Sequence, residues 1–154
     1  SALDLIQPTL VSLGDNQVLM VLRDGSEQRA LHTAYSKDNG WTWTDAQASN
    51  LPNPDSAVDA MALDDGRILL VYNDSTIDRE NLSLAISEDH GRTWTPRVVI
   101  EQEAGREFSY PQLTRGPNGR IHLTYTWKRE RIRHVTFNVA WLDQSHDQRL
   151  ATAQ

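Results

Sequence analysis

Gln7 and Tyr110 open the same short phrase far apart in the chain: Gln7-Pro8-Thr9-Leu10 and Tyr110-Pro111-Gln112-Leu113. Matching positions of this kind point to a repeated element that turns both side chains toward one place. A phenol attacks only when a base removes its proton, because its ordinary pKa is near ~10. Gln7 can hydrogen-bond such a phenol but cannot take its proton. Seven arginines lie between them, among them Arg23 in Val21-Leu22-Arg23-Asp24 and Arg79 in Asp78-Arg79-Glu80-Asn81. A guanidinium grips a carboxylate through two parallel hydrogen bonds, a fork that lysine does not reproduce.

Other chemistries find little support. There is no cysteine, so disulfides and thiolate catalysis are excluded. The five histidines show no ligand spacing, which argues against zinc, and nothing calls for a cofactor. The net charge of −6 disfavours nucleic acid and anionic membranes, and an anionic ligand would have to be held by local arginines. No apolar run reaches membrane-spanning length and no secretory leader is recognisable, so the compartment stays open.

A repeated all-β unit must position these residues. Ser36-Lys37-Asp38-Asn39-Gly40-Trp41-Thr42-Trp43 and Ser87-Glu88-Asp89-His90-Gly91-Arg92-Thr93-Trp94 both read S-x-D-x-G-x-T-W, with serines 51 residues apart. Such a period fits a four-stranded propeller blade of roughly 40–50 residues. In each box the aspartate can close a turn by accepting backbone amides, and the glycine supplies a positive φ. Trp43 or Trp94 then offers a large apolar face to wedge against the next blade. Asp38-Asn39-Gly40 lacks the remaining ligand spacing of a calcium loop. Hairpin signals at Asp15-Asn16, Asp65-Gly66 and Asn118-Gly119 precede apolar runs over 17–23, 67–73 and 120–126. Third strands are expected at Ala30–Ser36, Asn81–Ser87 and 132–138. The blades divide at about 5–50, 51–103 and 104–142; the last has no box and ends on Val139-Ala140-Trp141-Leu142. Residues 143–154 are polar and aperiodic and read as a tail.

The two boxes resemble the Asp box of the bacterial neuraminidase repeat, found in sialidases and their relatives. The resemblance covers roughly residues 5–142. It implies an all-β chain of three four-stranded antiparallel blades, half of a six-bladed sialidase-like β-propeller, with the boxes as scaffold on the outer rim. Ring closure is what protects strand edges. The resemblance therefore implies a partner: missing N-terminal blades, or a second copy forming a homodimer. An open stack of three blades should expose apolar faces at both ends.

Sialidases bind the carboxylate of sialic acid with three arginines, attack with a tyrosine assisted by a glutamate, and use an aspartate as acid/base. On that resemblance Arg23 stands for the second arginine, Arg79 for the third and Tyr110 for the nucleophile. A neutral phenol suits a sugar whose carboxylate sits on the anomeric carbon, where a carboxylate nucleophile is repelled; sialidases are an exception to the two-carboxylate scheme. The chain departs from the pattern at the glutamate, where Gln7-Pro8 replaces Glu-Pro. Asp59, at the start of an inner strand, is a candidate substitute. Asn73, aligned with Arg23, is a candidate contact to a sugar hydroxyl. Trp127 with Lys128, Arg129, Arg131 and Arg133 marks a basic hairpin tip, better read as a solvated turn than as a binding surface. His134 is expected to pack or cap. The resulting expectation is a sialidase-like glycoside hydrolase acting on an acidic carbohydrate, without cofactor or metal. The alternative is a carbohydrate-binding propeller that keeps the arginines and, with Gln7, no longer catalyses. A plain scaffold explains the boxes and leaves Arg23, Arg79 and Tyr110 to coincidence.

Overall fold

The computed structural model describes residues 3–144, within which eleven strands form three antiparallel sheets. The first blade is β1 (Leu5–Gly14), β2 (Gln17–Asp24), β3 (Ala30–Ser36) and β4 (Gln47–Pro52). The second is β5 (Asp59–Ala62), β6 (Ile68–Tyr72), β7 (Asn81–Ser87) and β8 (Thr95–Gln102). The third is β9 (Phe108–Arg115), β10 (Ile121–Trp127) and β11 (Arg131–Phe137). Strands pair in sequence order within every sheet, and each connection is a hairpin. At the first hairpin Asp15 and Asn16 both take positive φ, 47° and 63°, as a two-residue type I′ turn requires.

Alternation along the strands builds the core between blades. Ile68, Leu70 and Tyr72 of β6 join Leu19, Val21 and Leu31 of the first blade. Leu69 and Val71 of the same strand join Phe108, Leu123 and Tyr125 of the third. β6 is consequently buried at all five positions, which explains its unbroken apolar run. Each leucine buried in this way contributes about 1.5–3 kcal/mol.

Both Asp boxes lie between the third and fourth strands of their blades, and their hydrogen bonds repeat. Asp38 accepts from the Ser36 hydroxyl at 2.7 Å, the Thr42 amide at 2.8 Å and the Thr42 hydroxyl at 2.6 Å. Asp89 accepts from Ser87, the Thr93 amide and the Thr93 hydroxyl at 2.8, 2.8 and 2.7 Å. The tryptophans differ. Trp94 is buried in the cluster between blades one and two, and Gly91 packs so closely on Leu19 that a Cβ would fall 2.5 Å from Leu19 Cδ2. Trp43 is half-buried and donates its Nε1–H to the Gly40 carbonyl of its own box at 3.0 Å.

The three antiparallel blades are as expected, with one refinement and one correction. The third sheet has three strands among the described residues, not four, and residues 139–144 are helical. Asn138 caps that turn by accepting the Trp141 amide at 2.9 Å, and buried Leu142 fills the core between blades two and three. Nor are both end faces apolar. On the first blade Leu10 is 56% exposed, beside half-buried Val18 and Met20. On the third blade the strand positions alternating with the buried core are Gln112, Thr114, His122, Thr124, Thr126, His134 and Thr136, a mostly polar face on which Ile132, 69% exposed, is the apolar exception. The tail expected at 143–154 falls outside the described residues from 145 onward; Asp143 pairs with Arg67 at 2.7 Å. Among the described residues no helix is long and apolar enough to cross a membrane.

Candidate functional site

The Gln7-Pro8 and Tyr110-Pro111 phrases are two copies of one β-bulge. In β1 the pairing runs from Ile6 opposite Arg23 to Thr9 opposite Val21, so Gln7 and Pro8 together face Leu22. In β9 it runs from Ser109 opposite Thr126 to Gln112 opposite Thr124, so Tyr110 and Pro111 together face Tyr125. Proline cannot donate to the ladder and is tolerated where a bulge breaks it. The residue ahead of it takes a left-handed backbone, φ 48° at Gln7 and 52° at Tyr110. A bulge re-aims a side chain, and here it turns both outward: Gln7 is exposed and Tyr110 is 53% exposed.

From Gln7 a continuous path of contacts crosses three blades to Tyr110. Arg23 Nη1 donates to Gln7 Oε1 at 2.7 Å. Arg23 Nε lies 3.0 Å from Asp55 Oδ1, a charge contact whose angle falls short of a hydrogen bond. Arg79 Nη2 donates to the main-chain carbonyl of the same Asp55 at 2.8 Å. The Arg79 guanidinium then lies 5.8 Å from the centre of the Tyr110 ring, a cation–π approach. The side chains of Arg23 and Arg79 are largely buried, 13% and 21% exposed. Thus Gln7, Arg23, Arg79 and Tyr110 share one surface.

Glu107 braces Arg79 from the third blade. Its carboxylate lies 3.4 Å from Arg79 Nη1, accepts the Ser109 hydroxyl at 2.8 Å and accepts Arg129 Nε at 2.7 Å. Burial pushes the Glu107 carboxyl upward, but Ser109, Arg129 and Arg79 outweigh it and hold it below its ordinary value. Beside this network Pro8, Asp59, Tyr110 and Gln112 line an open groove of about 250 Å³.

Asp59 reaches that groove, yet its oxygens are engaged. Oδ1 accepts the Thr9 hydroxyl at 2.7 Å and Oδ2 accepts the Leu113 amide at 2.7 Å, so it ties the inner strands of three blades together. Asn73 requires a correction as a sugar contact. It is fully buried, and its amide is spent on the Asn81 carbonyl, the Phe108 carbonyl at 2.9 Å and the Ser56 hydroxyl at 2.6 Å. It ties the inter-blade turn at Ser56 to the starts of β7 and β9.

The basic hairpin tip is self-contained. Lys128, Arg131 and Arg133 surround the Trp127 ring at 4.2, 4.9 and 5.8 Å, while Lys128, Arg129 and Arg133 also pair with Glu103, Glu107 and Glu101. His134 stacks on His122 with ring centroids 5.2 Å apart. Among the described residues no three His, Asp or Glu side chains converge on a metal position. Asp55 and Glu107 were not singled out from the sequence. The Asn53-Pro54-Asp55 turn signal was available for the first; Glu107 carries no motif.

Residues 2–123 match the BNR repeat-like domain family. A sialidase from Bacteroides fragilis is 28% identical over 134 residues, covering 81% of this chain and 24% of the relative. The intramolecular trans-sialidase of leech, solved with 2,7-anhydro-Neu5Ac, superposes with a TM-score of 0.71 at 17% identity, over 88% of this chain and 24% of that one. The α-L-arabinofuranosidase Arb93A of Fusarium graminearum superposes at 0.67 with 16% identity, over 87% of this chain and 45% of that one. At these identities the two structures establish a shared fold. The chain spans about a quarter of the length of the sialidase relatives.

Proposed function

Because the chain belongs to the BNR repeat-like domain family, we propose that it is the C-terminal half of an exo-acting, sialidase-like glycoside hydrolase whose substrate is an acidic sugar such as sialic acid. What supports this reading is the path Gln7–Arg23–Asp55–Arg79–Tyr110, which gathers two guanidinium groups and a phenol on one surface. In it Arg23 and Arg79 grip the sugar carboxylate. Tyr110 attacks the anomeric carbon: its O–H proton passes to a base, its C–O bond forms, and the glycosidic C–O bond breaks toward a protonated leaving group. Water then forms a C–O bond at the anomeric carbon, giving one proton to the acid/base aspartate, while the bond to Tyr110 breaks and its oxygen regains the proton held by the base. A further arginine, the acid/base aspartate and the base come from outside this chain, supplied by N-terminal blades or by a second copy that closes the ring. The reaction requires neither metal nor cofactor.

One observation favours a second reading, a carbohydrate-binding propeller. Gln7 accepts a hydrogen bond from Arg23 and cannot take the proton of Tyr110. Assays of the full-length protein on a fluorogenic sialoside and a fluorogenic α-L-arabinofuranoside separate the readings. Sialoside turnover supports the hydrolase. Binding of sialic acid without turnover supports the lectin-like reading. Turnover of the neutral furanoside alone overturns the acidic substrate.

A further inference from the structure

Asp55 stands in a backbone conformation that its side chain does not favour. It occupies the third position of the turn Asn53-Pro54-Asp55-Ser56, which carries the chain from blade one to blade two. Asn53 closes that turn, accepting the Ser56 amide on its side-chain oxygen at 2.8 Å and donating to the Ser56 carbonyl at 2.9 Å. Asn53 and Ser56 are both fully buried, so the turn is rigidly seated. Proline at the second position and positive φ at the third make glycine the favoured third residue. The chain instead places aspartate there at φ 58°. Strain of this kind persists where a side chain is needed in a set direction.

The direction is toward the arginines. The Asp55 carboxylate meets Arg23 Nε, and its carbonyl receives Arg79 Nη2, so one residue touches a guanidinium from each of two blades. A long arginine side chain loses rotamer entropy when a ligand fixes it, unless it is fixed beforehand. Asp55 meets Arg23 at Nε and Gln7 takes Nη1, which stops the guanidinium from turning. We infer that Asp55 is a positioning residue that presets Arg23 and Arg79 as one carboxylate-binding pair. This rests on the reading of the two arginines as the carboxylate clamp.

Asp55→Gly separates positioning from turn-making, because glycine takes a positive φ without strain. The thermal midpoint should stay equal or rise, while the Kd of the full-length protein for N-acetylneuraminic acid should increase about tenfold, the scale of a lost charge-assisted contact. Asp55→Asn, which tolerates the same backbone and keeps an acceptor oxygen, should fall between Asp55→Gly and the native protein. The Arg23 guanidinium resonances, followed by NMR without ligand, should show restricted rotation about Nε–Cζ in the native protein and faster rotation in Asp55→Gly. Unchanged affinity and unchanged rotation in Asp55→Gly overturn the inference. If the native protein does not bind the acidic sugar, the clamp reading falls, and the rotation alone decides whether Asp55 orients Arg23.

Discussion

Gln7 and Tyr110 share one left-handed backbone, with φ of 48° and 52°, in equivalent bulges of the first and third blades. The relationship assigns them a common direction and different chemistries. If the phenol is the nucleophile, Tyr110→Phe abolishes sialoside turnover in the full-length protein and leaves binding nearly intact. Gln7→Glu supplies a carboxylate at the equivalent bulge and is expected to raise kcat. Full activity of Tyr110→Phe would rule out the covalent step, and no gain from Gln7→Glu would show that a carboxylate at that bulge does not serve Tyr110 as a base.

The two arginines should act on binding more than on folding. Arg23→Ala and Arg79→Ala are each expected to weaken affinity for a carboxylated sugar by about 1.5–3 kcal/mol, the range for hydrogen bonds to charged groups. Because both touch Asp55, the double variant should lose less than the sum of the singles. Isothermal titration with the free acid and its methyl ester checks this. An ester bound as tightly as the acid contradicts a carboxylate clamp.

The Asp boxes carry a graded set of stability effects. Gly91→Ala combines φ 84° with a Cβ 2.5 Å from Leu19 and should cost about 1–3 kcal/mol. Gly40→Ala, at φ 90° with a nearest contact of 3.5 Å, should cost about 1 kcal/mol from backbone strain. Trp94→Ala empties an inter-blade core position and should cost about 3–5 kcal/mol, more than Trp43→Ala. Urea unfolding midpoints rank them, and equal losses at the two boxes would contradict the inter-blade role of Trp94.

Acid should weaken the fold through the first box. The Thr42 hydroxyl and amide, with the Ser36 hydroxyl, hold the Asp38 carboxyl down to about 2 from 3.8. A depressed folded value stabilises the fold above the unfolded value, and that contribution is lost as the pH falls through the folded one. Thermal midpoints should therefore drop between pH 3.8 and 2, with a smaller drop in Asp38→Asn. An identical slope in that variant would remove Asp38 from the acid transition.

The end faces predict how the chain associates. The first blade groups exposed Leu10 (56%) with half-buried Val18 and Met20, while on the third Ile132 stands alone among threonines and histidines, so contact should involve the first blade. Leu10→Lys should reduce the mass measured by light scattering at matched concentration. A native chain that stays monomeric as concentration rises would show that this face needs no cover.

The strands and boxes were legible because their signals are local. The bonds of an Asp box close within seven residues, as from Ser36 to Thr42, and the apolar runs reflect strands buried on both sides. Arg23, Arg79 and Tyr110 could be named from residue type and resemblance, and the paired Gln-Pro and Tyr-Pro phrases marked equivalent places. The sequence did not foretell the bulges that turn those residues outward, because a register shift depends on the partner strand. It did not reveal that Asn73 faces inward, since its partners Ser56 and Phe108 arrive from distant segments. The helical turn over 139–144, read from the sequence only as the end of the fold, follows from the Asn138 cap and the burial of Leu142. Tertiary structure alone brought Arg23 to the carboxylate of Asp55 and Arg79 to its main-chain carbonyl, because the path of one inter-blade loop sets which atoms meet, and no local pattern encodes that path.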